Sequence, residues 1–140
     1  MNIEYVKDFD GWNEKQKVID KLAANSFFHE REVWWCSLGV NIGSEQDGKN
    51  ESFERPVIVL RKINKDLLLI APLTTSLHKN ESNHLVTFKR TGLESQIIIS
   101  QIRVISSKRL IRRICLISNR IYWQLLIFLI RWMLTSNINE

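Results

Sequence analysis

Residues 43–60, GSEQDGKNESFERPVIVL, join a long polar loop to an apolar strand and decide how the chain is organised. Gly43 and Gly48 bound the most polar part of the loop, and glycine permits backbone angles that other residues avoid. Pro56 can begin a strand but cannot lie in the middle of a central one, because it lacks the amide donor. We therefore expect a mobile loop that ends on a buried strand, with Arg55 fixed at the junction and well placed to hold a phosphate.

Short runs rich in aromatic and β-branched residues on both sides of this stretch predict a meander of strands. The predicted strands are 33–38, 57–61, 67–72, 85–88 and 96–104, with turns at 64–66 and 90–93 and a polar loop at 78–84. Ser106 and Ser107 offer an N-cap for a short helical turn or helix over 108–114. The pattern indicates a mainly β, α+β fold: a small, bent, SH3-like barrel with helices outside it.

Both ends of the chain have helical patterns. Residues 12–24 carry an apolar stripe that includes Trp12 and Ile19, so this helix either docks on the barrel surface or partly covers a groove. Residues 119–135 are strongly apolar over about fourteen positions, fewer than the ~20 that span a bilayer. This segment is expected to pack on the barrel or in a subunit interface, with a membrane-surface role as the alternative. The predicted organisation is an extension at 1–30, a barrel at 31–117 and an apolar helix at 118–140.

The composition favours an anionic partner. A net charge of +5 and a pI of about 9.4 suit a nucleic acid, an anionic membrane or an acidic protein, although a basic domain without such a partner would look the same. Cys36 and Cys115 lie far apart and show no zinc-ligand spacing. The first residues lack a basic segment followed by an apolar core, so we expect no signal peptide and a cytoplasmic location.

Several reaction classes find no support in the sequence. It contains no HExxH, P-loop or GxSxG pattern, which argues against metal-dependent hydrolysis, nucleotide chemistry and esterase chemistry. We therefore expect neither a metal nor a cofactor.

Five segments in series, at 32–38, 43–56, 71–76, 97–103 and 108–110, resemble the PemK/MazF family of toxin endoribonucleases. GSEQDG at 43–48, followed after six residues by Arg55-Pro56 and an apolar run, is similar to the family signature. The first strand, EVWWCSL, lies at 32–38, and APLTTS at 71–76 is similar to the family's strand that ends in a reactive threonine. IIISQIR at 97–103 and the basic run at 108–110 resemble later segments, so the resemblance covers roughly residues 31–114.

The resemblance implies a metal-independent endoribonuclease that cleaves single-stranded mRNA. The RNA 2′-OH would attack the adjacent phosphate and leave a 2′,3′-cyclic phosphate and a 5′-OH. Arg55 and Thr74 match the family's catalytic pair, and Glu45 matches its loop carboxylate. A guanidinium suits phosphorane charge, a threonine hydroxyl can donate to a phosphate oxygen, and a carboxylate can orient RNA or accept a proton.

Polar side chains of the same loops and strands are candidate RNA-binding residues. They are Gln46, Lys49, Thr75, Ser76, His78, Lys79, Gln101 and Arg103. The resemblance further implies a homodimer, an acidic antitoxin protein that competes for the RNA groove, contact with operator DNA only through that antitoxin, and no membrane partner.

Two departures from the family pattern leave alternatives open. The family places its Arg-Pro soon after the loop glycine, whereas six residues, 49–54, intervene here and weaken the assignment of Glu45 more than that of Arg55. The N-terminal extension is the second departure. The chain could therefore bind RNA or a partner protein without cutting, or inhibit DNA gyrase as the related CcdB fold does.

Overall fold

Seven strands and two helices form the part of the chain that the computed structural model describes, residues 4–25, 27–75, 85–90 and 93–135, apart from the side chains of 85, 86, 88–90 and 93. In chain order, the elements are α1 (Phe9–Asp20), β1 (Glu32–Ser37), β2 (Glu54–Lys62), β3 (Leu67–Thr74), β4 (Leu85–Arg90), β5 (Leu93–Ile98), β6 (Arg103–Ser106), β7 (Leu110–Leu116) and α2 (Asn119–Leu134).

The strands pair in the order β4-β5-β3-β2-β1-β7, and every pairing is antiparallel. β3 pairs with β2 on one side, but its other side is shared. Its first half, from Leu67 to Ile70, pairs with β6, and its end, Leu73 and Thr74, pairs with β5. Because two strands diverge from the same edge of β3, the sheet bends into a small barrel-like fold. The expected mainly β, α+β class is confirmed.

Two sequence predictions about the late strands are wrong. The single strand predicted at 96–104 is interrupted by a 3₁₀ turn at Ile99–Gln101, because β5 and β6 pair with different halves of β3. The helical turn or helix predicted over 108–114 is helical only at its start, and the chain from Leu110 is β7, because pairing with β1 outweighs the local helical pattern. Only Ser107–Arg109 are helical, and the Ser106 side chain accepts from the Lys108 amide as the predicted cap.

The predicted helices exist with adjusted bounds. α1 begins at Phe9 rather than residue 12, because the Asp8 carboxylate caps it by accepting from the Gly11 amide at 2.8 Å. On its predicted apolar side, Trp12 is buried but Val18 is 63% exposed. α2 covers nearly the whole predicted segment. No helix in the described part of the chain is long and apolar enough to cross a membrane.

The core consists of three apolar clusters. The first fills the barrel between β1, β2, β3, β6 and β7, and includes Phe28, Cys36 and Val57. Burial raises the pKa of Cys36 to about 12, so this thiol stays neutral. The second cluster lies on the opposite face of the sheet, where α2 packs through residues such as Leu125. The third is separate and small: it joins Trp12 and Ile19 of α1 to Val40 and Phe53 in the loop before β2.

The structure describes the predicted turn at 64–66 in full. Asn64 closes the hairpin between β2 and β3, since its side chain accepts from the amides of Asp66 and Leu67. The polar loop predicted at 78–84 and part of the turn predicted at 90–93 lie outside the described residues.

Candidate active site

Arg55 and Thr74 occupy facing ends of two paired strands. Val57 of β2 pairs with Pro72 of β3, and continuing that register by two residues places Arg55 opposite Thr74. Directly opposed residues of an antiparallel pair project to the same face. The two side chains predicted as a catalytic pair are therefore neighbours, and both residues border one hollow of about 300 Å³ at this end of the sheet.

The guanidinium of Arg55 is held by two backbone carbonyls. Its Nε donates to the carbonyl oxygen of Asp47 at 2.6 Å, and its Nη1 donates to that of Leu73 at 3.0 Å. Arginine has five N–H donors, so the other three have no acceptor within the described part of the chain. Burial lowers the pKa of Arg55, and the charges of Asp47 and Tyr5 oppose that shift. The group keeps its charge at neutral pH and is fixed before a substrate arrives.

The hollow has mostly apolar walls that sequence reasoning missed. Trp35 pairs with Pro56 and Val33 pairs with Cys115, so these residues come from β1, β2 and β7 on the face opposite to that of Arg55. The hollow thus lies at the strand ends, where residues of both faces reach it. The remaining lining residues are Lys49, Asn50, Glu54, Leu73, Thr75, Ser95 and Ile114. Because side chains alternate between the two faces along a strand, the sequence could have placed Val33 and Trp35 on the same face of β1.

One wall of the hollow carries a cation–π contact. The guanidinium carbon of Arg112 lies 5.1 Å from the centre of the Trp35 ring, and Arg112 Nη1 lies 3.8 Å from a carboxylate oxygen of Glu54. These contacts place the charge of Arg112 beside the hollow.

Glu45 borders other cavities than the hollow of Arg55 and Thr74. It is exposed, and its carboxylate accepts from the amide of Ile42 at 3.4 Å. It lines a polar cavity of about 430 Å³. That cavity also contains Gln46, Gln101 and Arg103, three of the candidate RNA-binding residues. A further cavity of about 510 Å³ is bordered by Glu45, Lys49 and Arg55. Lys49, Asn50 and Arg55 border both this cavity and the hollow, so the two cavities adjoin at these residues.

The structure describes only some of the candidate RNA-binding residues. Lys49 and Thr75 border the hollow together with Arg55. Ser76, His78 and Lys79 lie outside the described residues.

The comparison with known families settles which family this arrangement belongs to. Residues 29–132 match the model of the PemK-like, MazF-like toxins of type II toxin–antitoxin systems. The chain belongs to this family. PemK/MazF toxins are known as endoribonucleases, and each is one half of a toxin–antitoxin pair. No curated protein matches the chain.

Backbone hydrogen bonds and close packing restrain the signature loop of this PemK/MazF-family chain. The Gly48 amide donates to the carbonyl of Gly39 at 2.8 Å, and Lys49 and Glu54 exchange two backbone hydrogen bonds. Gly48 packs so closely on Phe53 that a Cβ there would overlap its carbonyl. The inserted residues 49–54 thus form a compact turn that returns the chain to Arg55, and these bonds restrain the loop expected to be mobile.

The loop also docks onto the 3₁₀ turn before β6. The Gln46 amide donates to Gln101 Oε1 at 3.0 Å, and Gln101 Nε2 donates to the carbonyl of Ser44 at 3.2 Å. Arg103 Nη1 donates to Asn41 Oδ1 at 3.3 Å. Gln101 and Arg103 therefore hold the loop in addition to lining its cavity. Among the described residues, no group of three or more His, Cys, Asp or Glu side chains could hold a metal.

Proposed function

We propose that this chain is a toxin that cleaves single-stranded mRNA without a metal, by attack of the RNA 2′-OH on the adjacent phosphate. The observation that carries the proposal is that Arg55 and Thr74 both border the hollow, with Arg55 Nη1 bonded to the carbonyl of Leu73, the residue before Thr74. The products would be a 2′,3′-cyclic phosphate and a 5′-OH.

Arg55 would stabilise the negative charge that develops on the phosphorane. Its two backbone bonds fix the guanidinium, and its three remaining N–H groups can meet phosphate oxygens. A preorganised donor in a partly desolvated site stabilises such charge more than water does, because it needs no reorganisation. A guanidinium cannot be the general base, since it stays protonated.

Thr74 and Glu45 would act on either side of Arg55. The Thr74 hydroxyl would donate to a non-bridging phosphate oxygen from the hollow. Glu45, which shares a different cavity with Arg55, would orient the RNA or accept a proton. The apolar walls of the hollow and the ring of Trp35 suit an unpaired base, which RNA-binding proteins recognise by stacking. The polar side chains of Gln46, Lys49, Thr75, Gln101 and Arg103 would contact the flanking nucleotides.

The proposal is tested by incubating the purified protein with single-stranded RNA in EDTA. We expect cleavage with cyclic-phosphate and 5′-OH ends, and loss of cleavage in Arg55→Ala. Arg61→Ala is the matched control, since Arg61 is exposed on the same strand. Intact RNA with the wild type, or equal cutting by Arg55→Ala, would refute the proposal.

The second candidate is a protein that binds RNA without cutting it. It is favoured by the burial of Arg55, which is only 5% exposed and gives two of its donors to backbone carbonyls. Salt-sensitive RNA binding without cleavage, and no growth arrest on expression, would support this candidate over the first.

The proposed partners are a second copy of the chain and an acidic antitoxin, in the cytoplasm. Trp123, Ile127, Ile130 and Leu134 lie at helical spacing on the exposed side of α2 and are each at least 50% exposed, which suits a subunit interface. Sedimentation equilibrium of the wild type and of Ile127→Glu tests the dimer, and a monomeric wild type would contradict it.

A further inference from the structure

The N-terminal segment, residues 4–20, lies outside the family match and holds the signature loop. Tyr5 donates its hydroxyl to Asp47 Oδ2 at 3.0 Å, and Lys7 Nζ lies 3.4 Å from the same oxygen. Lys7 also donates to the carbonyls of Asn41 and Gly43, at 2.6 and 2.8 Å. The segment therefore contacts the loop at its polar centre, on the wall of the cavity that Tyr5 and Lys7 share with Arg55.

Asp47 connects this segment to Arg55. Its side chain, in a residue only 9% exposed, accepts from Tyr5 through Oδ2 and from the Asn41 amide through Oδ1 at 2.6 Å. Its backbone carbonyl accepts from Arg55 Nε. A buried carboxylate is stable only when its hydrogen bonds are made. The contacts of the Asp47 side chain therefore fix the position of the carbonyl that orients the guanidinium.

An apolar anchor attaches the same segment independently of the barrel core. Trp12 is 5% exposed, and its ring centre lies 5.6 Å from that of Phe53. Gly39 packs so closely on the indole that a Cβ there would overlap it. The guanidinium carbon of Arg109 lies 5.5 Å from the centre of the Trp12 ring. These contacts hold Tyr5 and Lys7 over the loop.

We propose that Asp47 is a positioning residue for Arg55, and that Tyr5, Lys7 and Trp12 form an in-chain strap that keeps Asp47 in place. The expected effect on catalysis rests on the proposed nuclease function. The coupling between the segment and Arg55 does not depend on that function. The strap acts through the loop: Tyr5 and Lys7 hold the Asp47 side chain, and the Asp47 carbonyl holds Arg55 Nε. None of the described residues of the segment borders the hollow of Arg55 and Thr74.

The coupling is measured directly at Arg55 by ¹⁵N NMR of its Nε–H group. The signal is assigned by its disappearance in Arg55→Lys. In the wild type we expect slow exchange of this proton with water, because the Asp47 carbonyl accepts it. Tyr5→Phe and Asp47→Asn should each speed the exchange. Glu14→Ala is the matched control and should change nothing, since Glu14 is exposed and its ion pair within the described residues is with Lys17 of the same helix.

The catalytic effect is measured as turnover and KM on RNA, and as affinity for a 2′-O-methyl oligonucleotide that cannot be cut. We expect Tyr5→Phe and Asp47→Asn to lower turnover about threefold to tenfold with KM within about twofold, in the range of couplings between contacting residues. Both variants should bind the 2′-O-methyl oligonucleotide within about twofold of the wild type, because the strap aligns Arg55 and does not itself border the hollow. A larger loss of affinity would indicate general destabilisation of the site and overturn the proposal.

The remaining outcomes separate the two proposals. Unchanged Nε–H exchange in both variants overturns the strap, whatever the protein does to RNA. Faster exchange together with higher turnover shows that the segment restrains the enzyme rather than aligning it, and also overturns the proposal. If the wild type does not cut RNA, the nuclease proposal fails while the NMR measurement still decides the coupling.

Discussion

The hollow of Arg55 and Thr74 and the polar cavity of Glu45 and Gln101 are built in different ways. Residues of five strands line most of the hollow, and their register is set by backbone pairing. The polar cavity lies between a loop and a 3₁₀ turn, which side-chain hydrogen bonds hold together. Strand ends fix a group to within small displacements, whereas a loop can adapt. We therefore expect the hollow to govern the rate and the cavity to govern which RNA is preferred.

The largest effect is expected for Arg55→Lys. Lysine keeps the charge but lacks the planar fork, so it cannot hold both backbone carbonyls and still meet a phosphate. We expect turnover to fall about a hundredfold, as for removal of a preorganised oxyanion donor. Single-turnover cleavage assays would measure it, with Arg61→Lys as the control. A loss below about threefold would mean that charge alone suffices at the strand end.

A smaller loss is expected for Thr74→Val, which removes the hydroxyl while nearly keeping the shape. One hydrogen bond to a charged group contributes about 1.5–3 kcal/mol, which corresponds to at least a tenfold loss of turnover. Thr75→Val tests whether position matters, because Thr75 follows the strand end and is exposed. If Thr75→Val proves the more damaging of the two, the strand-end pair is not the catalytic one.

Glu45→Gln compares the cavity with the hollow directly. Glu45 is exposed and does not border the hollow, so we expect turnover to fall about threefold, well short of the loss for a general base. Steady-state kinetics on one RNA would measure it, with Glu51→Gln, another exposed carboxylate of the loop, as the control. A loss of about a hundredfold would show that Glu45 carries a proton and that the loop also governs the rate.

The smallest effect on rate is expected for Gln101→Ala. The substitution removes the acceptor for the Gln46 amide and the donor to the Ser44 carbonyl, so the loop should open more often. We expect turnover within about twofold of the wild type, faster hydrogen exchange at the Gln46 amide and a broader choice of cleavage sites. Cleavage profiles on a mixed RNA pool would test this. An unchanged profile would show that the cavity does not govern which RNA is cut.

β1 to β4 could be predicted because each carries a short apolar run bounded by polar or turn residues. The Arg-Pro junction further located the start of β2, since proline is tolerated there and not in a central strand. The split between β5 and β6 could not be predicted, because the apolar run from Ile97 extends into the turn at Ile99 and apolar residues resume at Ile102. β7 was predicted as a helix, because the basic run and its serine cap match a helix start equally well.

The sequence by itself determined that Arg55 and Thr74 would lie at strand ends, and the family signature named them as a pair. Only the tertiary structure decided which cavity each candidate residue borders. Glu45 and Arg55 are ten positions apart in the chain, yet Glu45 borders the polar cavity and Arg55 the hollow. The docking of Tyr5 and Lys7 on Asp47 depended equally on the folded chain, because no local pattern encodes contacts across about forty residues. Strand register follows from neighbouring residues, whereas loop and segment docking depend on surfaces that exist only after folding.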